Sequence, residues 1–166
     1  MDFLRVFLQY SRVRELVRGV SARTGVWWRR IFYSRLINFI HQVKVDYWQE
    51  FARLAPEDAP FMRGLKEGNV FLLKGFISGH LSFENPGRFV VAVAFLGYVF
   101  DQWDRSNTVF SADFLLEFVS VELWLAVRRY YTQMMDVRAA QLMTELANQE
   151  EEETWEDAPV EIDGRE

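Results

Sequence analysis

The residues of this chain best suited to chemistry are two histidines, His41 and His80, and four carboxylates, Asp101, Asp104, Glu117 and Glu122. An acid/base pair needs a second titratable group close by to divide the two roles, and neither histidine is near these carboxylates in the sequence. His41 and His80 also lack companions at metal-ligand spacing. The chain has no cysteine, so a thiol nucleophile, a thiolate metal site and a disulfide framework are all excluded. No Gly-rich phosphate loop, HExxH, GxSxG, kinase set or EF-hand loop is present. No catalytic residue and no metal ligand can be nominated. The expectation is a protein that is not an enzyme, with no cofactor and no small-molecule substrate.

The side chains that remain are ones that bind. Residues 1–45 carry nine Lys/Arg against Asp2 and Glu15, a net +7, whereas residues 145–166 carry ten Asp/Glu against Arg165, a net −9. A basic, aromatic start suits an anionic surface or an acidic partner, and an acidic tail suits solvent or a basic partner. Trp27-Trp28-Arg29-Arg30 pairs indoles with guanidiniums, as a membrane–water interface favours; a core Trp beside solvated arginines is the alternative. Arginine interleaved with bulky aliphatics, rather than gathered on one face, argues against nucleic acid.

The elements that must position these groups are helical, because alternating strand patterns and hairpin turns are nearly absent. Residues 1–20 form an amphipathic helix: Phe3, Phe7, Tyr10, Val13, Val17 and Val20 recur at spacings of three and four. This segment is an interfacial or targeting helix, or an ordinary surface helix on a soluble core. A second helical pattern runs from Gly25 to about Leu54, and Pro56 and Pro60 end it. After Glu84-Asn85-Pro86-Gly87, a breaker, Phe89–Phe100 is the longest uncharged apolar run. It rises only about 18 Å, against a hydrocarbon core of about 30 Å. It is a buried helix, a re-entrant segment or a short span flanked by Arg88 and Trp103, and the membrane reading is preferred here. Ser111 is an N-cap for a long helix to about Asn148, and the tail from Glu150 is too charged to fold alone.

Between these lie the small residues. On one helix spanning about Gly64 to Phe83, Gly64, Gly68, Gly75, Gly79 and Ser82 would fall within an arc of about 60°. Such an edge without side chains lets another backbone approach closely, as in membrane helix packing. The alternative is that Gly64 and Gly68 belong to a turn and only Gly75 and Gly79 are helical. The expected organisation is 1–55 basic amphipathic helices, 61–105 a helical hairpin with the glycine stripe and a membrane segment, 109–149 a long helix and 150–166 an acidic tail.

The Arg-rich start, the Gly75-Phe76-Ile77-Ser78-Gly79 motif, the short apolar helix with charged flanks and the charged tail together resemble the accessory membrane subunits of mitochondrial oxidative-phosphorylation complexes. The GxxxG is similar to that of dimer-forming ATP synthase membrane subunits. Leu81–Asn85, Arg88 and the apolar run resemble single-span cytochrome oxidase subunits. The resemblance implies an all-α, extended, membrane-associated subunit with one or two short membrane helices. It also implies a structural role in the ATP synthase membrane region, or else in a respiratory complex, at the mitochondrial inner membrane. Its partners would be other subunits and anionic lipid, with cardiolipin held by Arg23, Trp27, Trp28, Arg29, Arg30, Arg35 and Arg88. A soluble all-helical adaptor is the rival reading.

Overall fold

Local signals in the chain set most helix boundaries. Ser34 caps a helix by accepting a hydrogen bond from Ile37 N at 3.4 Å. Asn85 Oδ1 accepts from Arg88 N at 3.2 Å ahead of Pro86, whose fixed φ and missing N–H suit a first helical turn. Ser111 Oγ accepts from Phe114 N at 3.1 Å. The computed structural model describes residues 3–21, 34–103 and 109–156. A 3-10 helix at Phe3–Leu8 leads to α1 (Tyr10–Val20), followed by α2 (Arg35–Asp46) and α3 (Trp48–Leu54). Then come α4 (Pro60–Lys66), α5 (Phe71–His80), α6 (Pro86–Trp103) and α7 (Ala112–Glu156). Every regular element among the described residues is a helix. The chain divides into two units, Met1–Arg129 and Tyr130–Glu166.

In the first unit α6 is the centre. Every residue from Ala92 to Trp103 is buried, as expected of a helix apolar on all sides that sits inside a domain. Helices α1, α2, α3 and α5 pack around it, and Leu115, Val119, Leu123 and Val127 of α7 join the same core. Aromatic rings fill the space on the α3 side: Trp48 meets Tyr98 at 4.7 Å and Phe51 meets Phe95 at 5.6 Å, both edge-on. In the second unit α7 continues as a single helix, and its side chains from Thr132 to Asn148 are almost all exposed.

This arrangement corrects the membrane reading. No helix among the described residues is long and apolar enough to cross a membrane. Phe89–Phe100 is covered by the protein's own helices along most of its length, with Val91 the exposed position, so its hydrophobicity reflects burial within the domain. The N-terminal amphipathic segment likewise turns Phe7, Val13, Leu16, Val17 and Val20 into the core.

Two polar clusters, one at each end, fix α1. At its C-terminus, Lys44 Nζ donates to the Val20 carbonyl at 2.7 Å and pairs with Asp101 Oδ2 at 2.5 Å. Both charges are almost completely buried. Gly97 makes this crossing passable, since a Cβ there would lie 2.4 Å from Val20 Cγ1 and 3.2 Å from Lys44 Cδ. Further along, Tyr10 donates to Glu117 Oε2, and Arg14 Nε donates to Glu117 Oε1 at 2.5 Å. The hydrogen bonds from Tyr10 and Arg14 hold the Glu117 carboxyl below its ordinary range.

Lys44→Met leaves Asp101 as a buried charge without its cation and should cost about 3–5 kcal/mol. Lys44→Met combined with Asp101→Leu should recover part of that loss, as read from urea denaturation midpoints. A group whose folded pKa is depressed adds stability above its unfolded value, here 4.5, and loses it as pH falls through the folded value. Glu117→Gln should therefore lose less stability than the parent between neutral pH and mild acid. The effect should be small, because the Arg14–Glu117 pair is over two-fifths exposed.

Candidate binding groove

Helix α3 ends at Leu54, α5 ends at His80 and α6 begins at Pro86. The three ends surround an open groove of about 830 Å³. Phe51, Leu54, Phe76, Val91, Ala92 and Phe95 give it an apolar lining, and His80, Asn85, Gly87 and Arg88 supply the polar edge. Phe76 and Phe95 pack at 4.8 Å, with Phe61 closing behind them at 6.1 Å from Phe95. His80 lies against Phe76 at 5.1 Å. Leu54 is 76% exposed and Val91 46% exposed, so large aliphatic surface is left facing water inside the groove.

Arg88 stands exposed in the first turn of α6. A cation there adds to the positive end of the helix, which is unfavourable by a few tenths of a kcal/mol. Local costs of this kind collect where a residue serves a ligand rather than the fold. Among the described residues no carboxylate lies within ion-pair distance of Arg88. The site has an apolar floor and one cationic rim, which suits a mostly apolar ligand bearing a negative group. Among the described residues no three of His, Asp and Glu gather as a metal site would need.

The glycines do not form one stripe. Gly64 lies in α4, Gly68 in a turn at φ +102°, Gly75 and Gly79 in α5, and Ser82 in the connection beyond it. The turn breaks the helix that all five would need, and it leaves Gly75 and Gly79 as the helical pair. A Cβ on Gly64 would sit 2.7 Å from Leu72 Cδ1, whereas Gly75 and Gly79 have nothing within 4 Å. Gly79 lines the groove. Of the expected lipid-binding set, Arg88 is at the groove and Arg35 is exposed at the start of α2. Arg23, Trp27, Trp28, Arg29 and Arg30 lie outside the described residues.

The groove's aromatic and aliphatic residues were not nominated from the sequence. Asn85 and Pro86 break the preceding helix and also carry the signature of a helix start, with a cap and a proline at the first position. That signature would have put Arg88 on the first turn of the apolar helix.

Comparison with known proteins gives a consistent answer. Residues 1–136 match the family described as Adenovirus E1B 19K protein / small t-antigen. The E1B protein, small T-antigen, of human adenovirus F serotype 41 is 33% identical over 129 residues, covering 78% of this chain and 75% of the relative. That of human adenovirus C serotype 2 is 33% identical over 139 residues, covering 82% and 79%. The canine adenovirus serotype 2 protein is 27% identical over 128 residues, covering 75% and 72%. No solved structure matches.

These matches overturn the mitochondrial resemblance. The relatives are viral proteins, so the ATP synthase and respiratory-complex roles, the inner-membrane location, the subunit partners and the cardiolipin contacts are all withdrawn. The misleading pattern has a physical cause. An Arg-bearing amphipathic helix and a short apolar helix also arise where one helix is wrapped by others in a small domain.

The space around the α5 glycines leads to a stability prediction. Gly75→Ala and Gly79→Ala should each raise stability by about 0.5–1 kcal/mol through helix propensity alone. Gly64→Ala, which must displace Leu72, should not. Thermal midpoints of the three variants test the difference.

Proposed function

We propose that this chain, which belongs to the adenovirus E1B 19K protein / small t-antigen family, is a non-enzymatic viral regulator. In our reading it works by capturing an amphipathic helix of a host protein in the groove between α3, α5 and α6. The observation that carries the proposal is the groove itself: about 830 Å³, apolar on its floor, with Arg88 at its rim. An amphipathic helix laid in such a groove buries anchors at i, i+3 or i+4 and i+7. Phe51, Leu54, Phe76, Val91 and Phe95 are placed to receive those anchors, and a carboxylate on the helix would answer Arg88. What supports a partner from the cell-death machinery is the family's regulatory, anti-apoptotic character. The mode is also the one by which Bcl-2-type receptors seat BH3 helices.

Binding in this reading is mainly the burial of apolar surface on both sides, at roughly 25 cal/mol per Å² before association costs. The arginine contributes orientation, because a single fixed charge distinguishes one direction and register of the incoming helix from the others.

The test uses the full chain and a fluorescein-labelled amphipathic peptide with apolar anchors at helical spacing and one aspartate. Arg88→Glu should weaken binding at least tenfold, about 1.4 kcal/mol or more. Arg88→Lys should retain part of the affinity, and Val91→Glu should abolish it. Unchanged anisotropy titrations for both Arg88→Glu and Val91→Glu would rule the groove out.

A further inference from the structure

Past Tyr130 the long helix carries an apolar stripe with no described covering. Met135, Leu142 and Leu146 are 45%, 54% and 55% exposed, and Ala139 lies exposed between them. Their spacings of four, three and four are those of a coiled-coil seam. Isolated helices draw little stability from propensity alone and depend on packing an apolar face. The family match ends at residue 136, so most of this seam lies beyond it.

We propose that the seam pairs with the same seam on a second copy of the chain, running antiparallel, with Ala139 against Leu142 and Met135 against Leu146 of the other copy. The charges beside the seam decide both the occupant and the direction. Arg138 and Glu145 flank it on the same edge, one heptad apart. In the antiparallel register each Arg138 meets Glu145 of the other copy, and the pair forms twice by symmetry. A parallel pairing would instead set Arg138 against Met143 of the other copy and leave its charge without an anion. The seam is thus complementary to its own reverse.

Sedimentation of the full chain across a micromolar concentration series should show a reversible monomer–dimer equilibrium. Leu142→Glu should leave a monomer of unchanged helicity by circular dichroism. Arg138→Glu alone should weaken the dimer about tenfold, as two lost ion pairs imply, and Arg138→Glu with Glu145→Arg should restore it. The chain has no cysteine, so single spin labels at Gln133→Cys or Asn148→Cys report direction. Antiparallel pairing predicts an offset of about 15 residues and a separation of about 25 Å, whereas parallel pairing predicts about 10 Å. A chain monomeric at every concentration, a dimer indifferent to Leu142→Glu, or the short label distance would each overturn the proposal.

Discussion

The first unit depends on one crossing, where the end of α1 and the body of α2 press against α6 with almost no room between them. Gly97 supplies the space, and Lys44 and Asp101 occupy it with opposite charges. A buried ion pair seldom adds net stability over an apolar substitute, but it is costly to break or misplace. Here the Lys44 ammonium also satisfies the Val20 carbonyl at the end of α1, where the helix dipole favours a cation. One side chain therefore ties three helices to a single register. Because α6 is held at this point, its first turn is held as well, and Asn85 through Arg88 are presented at the groove as part of a rigid rod.

The groove follows from what does not cover α6. Along most of its length other helices bury it, but at its start α3 and α5 both stop short, leaving Val91 and Leu54 facing water. A small domain could fill such a gap with one larger side chain, yet Gly79 stands at its edge. The aromatic stack of Phe76, Phe95 and Phe51 beneath gives the opening a stiff floor, which limits the entropy lost when a ligand settles on it.

How far the sequence discloses this differs from element to element. The helical class was legible from periodicity, and the cap at Ser111 was legible from residue type alone. The position of Phe89–Phe100 was not, because an apolar run records only that water is excluded. Whether lipid or other helices do the excluding depends on contacts with residues 50 to 100 positions away in the chain. Lys44 and Asp101 were illegible as a pair for the same reason: one counts toward the basic start and the other as an isolated carboxylate, and they become a buried pair only once α2 and α6 meet. Of the glycines, the αL turn at Gly68 and the close approach at Gly97 are set by geometry that spacing alone does not carry. The open side of Gly79 became visible as a groove edge only with Leu54 and Arg88 beside it.

The clasp between α1 and α7 has a consequence for how the chain comes to be folded. Tyr10 reaches Glu117 across 107 positions, and Trp124 Nε1 donates to the Leu8 carbonyl across 116. Helix α1 therefore gains these contacts only after α2 to α6 have been made. Helices α2 and α6, which also pack against α1, are made before α7, so the clasp to α7 closes last. Long-range closure of this kind raises contact order and slows folding beyond what a helical protein of this size would otherwise show.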